Sequence, residues 1–302
     1  MRRFLIFTLL ITTAACSIRK TAVRSMATAL SGAADEFAKD EDPELIKGAL
    51  PFSLKLMETV LREDPKNTEI LVSLCKGFSQ YAYGFVLQDA EEIEDKDRVA
   101  AQAGKARAVK LFLRGRNYGL RYLEQKRPTF SADLKADPKK AVQSLTKADV
   151  DVVFWTAVGW AGAISVSKDM FMLPQLTQIE ALINRALELD ETYDKGALHG
   201  FLMTYEMARP FAPVDRAAAL AKTHYERALA LSNGKLAGLH VAYAESAMVA
   251  LKNRAEFDRL LNLALKIDPN EAPENRVINL IFQRRAKFLQ SRANRLFPAP
   301  RP

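Results

Sequence analysis

The sequence predicts an all-α chain, an irregular solenoid of stacked helical hairpins. Three observations carry that prediction. Apolar residues recur at three- and four-residue spacing almost everywhere after Glu44, the period of a helix with one buried face, whereas strand-like alternation is scarce. Pro51, Pro65, Pro128, Pro174, Pro210 and Pro269 fall between the periodic segments. Proline lacks the amide donor and disfavours helix at the residue before it, so these positions mark helix boundaries. Finally, one short pattern returns: a small or aliphatic residue, Leu, two variable residues, usually Asp, then a helix breaker.

In chain order, the N-terminus comes first. Met1-Arg2-Arg3, the apolar run Phe4 to Ile11 and the small pair Ala14-Ala15 before Cys16 have the layout of a secretory leader. The apolar run is too short to span a bilayer, which takes roughly 20 residues. The residues directly before Cys16 resemble a bacterial lipoprotein signal, with Thr13 standing where an aliphatic residue is usual. Residues 1–15 are therefore expected to be removed and Cys16 lipidated. Residues 16–43 form a tether and lead-in helix, 44–296 the helical domain, and 297–302 a Pro-rich tail. Ser17 offers no acidic inner-membrane retention signal, which favours the periplasmic face of an outer membrane.

The repeated pattern occurs at Val60-Leu61-Arg62-Glu63-Asp64-Pro65, Ala186-Leu187-Glu188-Leu189-Asp190-Glu191, Ala228-Leu229-Ala230-Leu231-Ser232-Asn233 and Ala264-Leu265-Lys266-Ile267-Asp268-Pro269. The last three copies start 42 and 36 residues apart, the range of helical repeats. Ala221, Tyr225, Ala228 and Asn233 stand at tetratricopeptide spacing, so the fold class is a tetratricopeptide-like helical repeat. Ala221, Tyr225 and Ala228 share one helix face. The alanines admit a neighbouring helix and the tyrosine fills the gap between the two. Residues 91–174 do not fit the frame and are expected to hold longer or inserted helices. Within them, Val152–Val166 reads as a buried helix capped by Asp151, with Trp155, Gly159 and Gly162 spaced for close approach of another backbone. Cys75 takes a small-residue slot and reads as a packed core thiol.

Composition excludes several functions. With 302 residues and 49% hydrophobic content the chain is not disordered. Two cysteines make no disulfide scaffold, and a dispersed net charge of +8 does not argue for nucleic acid. No phosphate loop, zinc motif or nucleophile elbow occurs. His199, His224 and His240 are far apart in sequence, so neither a metal site nor a cofactor is expected, and the chain is read as a non-enzyme. Glu91-Glu92-Ile93-Glu94-Asp95 reads as a solvated loop or helix end.

Two surface features remain as ligand or interface candidates. The first is a basic stripe, Arg107, Lys110, Arg114 and Arg121, on one helix face, joined near the C-terminus by Arg284-Arg285-Lys287, Arg292 and Arg295. It could contact an acidic partner or anionic ligand, or simply be solvated. The second is an aromatic set: Phe78, Tyr81, Tyr83 and Phe85, with Trp155 and Trp160 elsewhere. Tyr81 and Phe85 share a face, which fits helix packing, an apolar ligand groove or an oligomer interface.

The segments in order also carry a family resemblance. They are Ala49-Leu50-Pro51 with Leu54 and Glu58; Tyr81-Ala82-Tyr83-Gly84-Phe85; Arg107-Ala108 with Leu111 and Arg114; Phe154-Trp155-Thr156-Ala157 with Trp160; Arg185 to Asp190; Gly196 to His199; His224 to Leu229; and Asn279 with Arg284-Arg285-Ala286. Over roughly residues 44–296 the chain resembles the T component of tripartite ATP-independent periplasmic (TRAP) transporters, the TatT-like lipoproteins. The resemblance implies cryptic tetratricopeptide repeats, a trimeric periplasmic lipoprotein anchored at Cys16, and a TRAP-type substrate-binding protein as partner, with a pore or cleft leading to the bound ligand. The implied function is accessory: docking that protein and helping capture an apolar or organic anionic ligand. The alternative is a tetratricopeptide-like scaffold in cell-envelope assembly.

Overall fold

A computed structural model describes residues 25–32, 35–167 and 169–298, and Cys16 lies outside them. Among the described residues there is no strand. Short helical stretches at 25–32 and 35–38 lead into α1 (Pro43–Glu63). Asp42 caps α1 by accepting from the amides of Glu44 and Leu45, and Pro43 occupies the first turn, where its missing amide is not needed. Pro51 was expected at a helix boundary and instead sits inside α1. The buried face of Ile46, Leu54, Met57, Val60 and Leu61 outweighs the roughly 3 kcal/mol that an internal proline costs.

Asp64-Pro65 turns the chain into α2 (Thr68–Tyr81), capped by Asn67. A π-helical segment, Ala82–Leu87, and α3 (Gln88–Glu92) continue the same helix. The 29-residue α4 (Arg98–Lys126) follows, then short α5 (Phe130–Ala136) and α6 (Pro138–Ala141). Helix α7 (Val150–Ser167) is the apolar helix the sequence marked out, but Asp151 does not cap it. A capping box of Thr146 and Asp149 precedes it, and Asp151 in the first turn accepts from the Tyr193 hydroxyl. The remaining helices are α8 (Leu176–Leu189), α9 (Ala197–Ala208), α10 (Val214–Leu231), α11 (Ala237–Tyr243) with a second π segment Ala244–Met248, α12 (Arg254–Lys266), α13 (Arg276–Ser291) and α14 (Ala293–Leu296).

All four copies of the repeated pattern stop a helix, at the ends of α1, α8, α10 and α12. After α10, Asn233 and Gly234 adopt φ of 53° and 68°. Asparagine and glycine tolerate this left-handed turn at little cost. Ala221 and Ala228 are fully buried and Tyr225 nearly so, its ring stacked 4.3 Å from that of Tyr243.

The tightest packing lies where α4 and α7 cross beside α2. A Cβ on Gly159 would come within 2.8 Å of Ser79 Oγ, and one on Gly162 within 2.7 Å of the Phe112 ring. Cys75 is fully buried there, against Thr156 and Gly119, and burial pushes its thiol up to about 12. A thiol held protonated in this way is a packing group rather than a nucleophile. The stretches Thr68–Glu92 and Lys147–Ser167 are long and apolar enough to cross a membrane by composition, yet 72% and 56% of the apolar 18-residue window in each is buried inside the fold.

The C-terminal helix returns to the first hairpin. Helix α13 packs on α1, α11 and α12, sets Ile281 against Gly84 and Phe282 against Tyr83 of the first π segment, and pairs Arg285 with Glu245 of the second. Arg276 donates to the Lys39 carbonyl at 2.8 Å.

Candidate functional site

Where α1, the α2–α3 helix, α4 and α13 meet, they enclose a cleft of about 400 Å³. Its floor is apolar: Tyr81, Phe85, Val86 and Ala90, all nearly buried. The Tyr81 and Phe85 rings lie 6.0 Å apart. Gly104 lets α4 approach this floor, since a Cβ there would meet the Ala90 methyl at 2.7 Å. The rim is charged. Lys47 pairs with Asp89 at 2.8 Å; Arg284 reaches Asp89 at 2.8 Å and Glu92 at 2.6 Å. Those cations are neutralised within the fold. Arg107 has no acidic partner among the described residues: its guanidinium lies 5.7 Å from the Tyr81 ring centre, and its one side-chain hydrogen bond among them is a 3.5 Å contact to the Tyr81 hydroxyl. A second hollow of about 520 Å³ lies at Glu94, Asp95, Lys96, Arg98 and Arg295, but these residues give it no apolar floor.

The structure thus brings Tyr81, Phe85 and Arg107 together and separates the other candidates. Arg114 is not free for a partner. It donates to Glu58 at 2.6 Å and stacks on Phe78 at 4.9 Å. Glu58 is almost buried on α1 and also accepts from Lys55 and from the Tyr118 hydroxyl, each at 2.6 Å. Burial alone would raise the Glu58 pKa; these hydrogen bonds outweigh it and hold the carboxyl below its ordinary value. Arg121 donates to the Pro65 carbonyl. Lys110 is exposed, away from the cleft lining. Trp155 and Trp160 belong to a different core cluster, around α7 and α8.

Two expectations from charge are corrected together. The acidic run Glu91–Asp95 does end a helix, α3 stopping at Glu92, but it is not simply solvated, and Arg284, Arg285, Arg292 and Arg295 of the basic C-terminal segment are not open to an outside acid, whereas Lys287 stays exposed. The acids and these arginines bind each other. Arg285 bridges Glu91 and Glu245, and Asp95 takes both Arg292 and Arg295. Burial pushes the Glu91 carboxyl up, with Arg285 opposing.

Sequence reasoning also missed a histidine pair. The Nδ1 atoms of His199 and His224 lie 2.9 Å apart, and His199 Nε2 faces Glu191 at 3.2 Å. His240 stands elsewhere, against the Tyr225 hydroxyl. No group of three or more metal-ligating side chains forms among the described residues.

The chain also matches a family model described as TRAP transporter T-component, over residues 39–297. The chain belongs to the TRAP transporter T-component family. Within that family it is an accessory component of a transporter, associated with the cell envelope on the periplasmic side, and the family is not one of enzymes. The T-component is also similar to an uncharacterized protein of Treponema pallidum (strain Nichols), 27% identical over 268 residues, covering 86% of this chain and 82% of that one.

Proposed function

We propose that this T-component docks a TRAP-type substrate-binding protein and helps capture an amphipathic organic anion in the cleft at Tyr81, Phe85 and Arg107. The observation that carries the ligand half is Arg107, which, of the cations lining the cleft, meets no acid among the described residues, above an otherwise apolar floor. Such a floor buries a hydrocarbon body, and a guanidinium offers two parallel donors to a carboxylate. In this reading the hairpins are degenerate tetratricopeptide-like repeats, the acylated Cys16 holds the protein to the outer membrane, and three copies associate. Binding and release involve no bond-making chemistry and no cofactor. Family membership sets this reading ahead of a general envelope-assembly scaffold.

The test is calorimetric titration with sodium decanoate as probe. Saturable binding is expected, weakened at least tenfold by Arg107→Gln, an exposed substitution that leaves the fold alone. Equal affinity of the variant and the parent would remove the cleft from the proposal.

A further inference from the structure

The cleft keeps its charges apart by element. Helix α4 contributes Ala100, Gly104 and Arg107 to the lining, so its one ionic group there is the Arg107 guanidinium. Helices α1, α3 and α13 contribute Lys47, Asp89, Glu92 and Arg284. Glu44 joins this second group from just outside the lining, 3.2 Å from Lys47 and 3.5 Å from Arg284. Two cations thus serve three carboxylates. Lys47 is divided between Glu44 and Asp89, and Arg284 among Glu44, Asp89 and Glu92. These partners hold the protons on: the Lys47 pKa is raised chiefly by its hydrogen bond with Asp89, and that of Arg284 chiefly by its hydrogen bond with Glu92. Neither cation is left over for an incoming anion, and the group keeps one negative charge in excess.

The separation of the two ends matches a molecular length. Arg107 meets the Tyr81 hydroxyl, and Asp89 stands eight residues beyond Tyr81 on one continuous helix, about 12 Å at 1.5 Å per residue. An extended ten-carbon chain, with nine C–C bonds of about 1.5 Å in zigzag, spans about 11 Å. A monocarboxylate of that length with its charge on Arg107 runs its tail over Phe85 and ends in a methyl group near Asp89. A dicarboxylate of the same length sets its second charge against Glu44, Asp89 and Glu92. Asp89 and Glu92 are only 35% and 28% exposed, so water screens that repulsion incompletely. The second carboxylate also gives up hydration without gaining a partner.

We infer that the cleft selects for a single carboxylate: it takes monoanionic amphiphiles and rejects their dianionic counterparts, with Glu44 and Glu92 as specificity-determining residues. This rests on the proposed reading of the cleft as an anion site and adds the charge state of its ligand. The carboxylate that supplies the excess works against a second anion, as a repulsive element does wherever two similar ligands must be told apart.

The experiment is calorimetric titration at neutral pH with sodium decanoate and with disodium decanedioate, which has the same number of carbons and a second carboxylate. Decanoate is expected to bind the parent at least tenfold more tightly. Glu92→Gln leaves two cations with two carboxylates and keeps the side-chain shape, and should narrow that ratio at least threefold. Glu44→Gln, at a side chain 66% exposed, should narrow it in the same direction and keeps the test independent of folding. The ratio is taken within each variant, so a general weakening of the cleft cancels. Decanedioate binding within twofold of decanoate, or tighter, would overturn the selection while leaving the cleft an anion site. A ratio that persists unchanged in both variants would overturn the assignment to Glu44 and Glu92. Absence of decanoate binding by the parent would remove the proposed cleft, and this inference with it.

Discussion

Arg107 and Arg114 lie on the same face of α4, yet the structure gives them opposite roles. Exchanging each for glutamate separates those roles. Arg114→Glu removes a charge-assisted hydrogen bond to Glu58, a carboxylate only 7% exposed. That loss is about 1.5–3 kcal/mol. The new carboxylate also faces Glu58. At about 5 Å and an effective dielectric constant of about 20 the repulsion is roughly 3 kcal/mol. Arg114 is 44% exposed, so solvent screening brings that repulsion to about 1 kcal/mol. The sum is about 3 kcal/mol. For a chain of this size that is a fall in Tm of about 6 °C, at roughly 2 °C per kcal/mol. Arg107→Glu breaks a 3.5 Å contact to the Tyr81 hydroxyl and an exposed cation–ring contact at 5.7 Å, and should cost no more than about 1 kcal/mol. Thermal melts followed by circular dichroism at 222 nm measure both. In a Glu58→Gln background the cost of Arg114→Glu should drop below about 1 kcal/mol, because the opposing charge is gone. Two variants melting within a degree of each other, or an Arg114→Glu penalty that survives Glu58→Gln, would refute the assignment of Arg114 to the fold.

Two further outcomes follow from the core and the histidine pair. Ala228 is fully buried where the Gly196 backbone crosses it, close enough that a Cβ on Gly196 would lie 3.2 Å from the Ala228 Cα, so Ala228→Arg should destabilise by several kcal/mol through overpacking and charge burial; a melt matching the parent would show the repeat register to be wrong. Burial and then the neighbouring His199 hold His224 below its ordinary 6.5, so the folded state keeps it neutral while the unfolded chain takes up the proton first. Stability is then fully present above about pH 6.5 and falls as the pH drops toward the folded-state pKa. Tm should decline between pH 7.5 and 5.5, and His224→Gln should flatten the decline; an equally steep slope in the variant counts against the pair.

The sequence by itself determined the helical class, the four helix stops and the packing slots of Cys75, Ala221, Tyr225 and Ala228. These depend on neighbours three or four residues away and on local turn chemistry, which a chain writes out in order. It placed Tyr81 and Phe85 on one face for the same reason. The proline rule failed at Pro51 because the buried stripe on both sides of it outweighed a local penalty. Only the tertiary structure decided which charges are spent inside the molecule. Arg284 reaches Asp89 from 195 residues away, and Arg285 reaches Glu91 from 194. Arg114 reaches Glu58 across 56 residues, whereas Arg107, one turn pair earlier on the same face, meets no acid among the described residues. Periodicity says which side of a helix faces inward, but not what stands opposite. That depends on which element the fold lays beside α4: α1 sets Glu58 against Arg114 and, among the described residues, no acid against Arg107, and this separates an arginine that holds the fold together from one left open to a ligand.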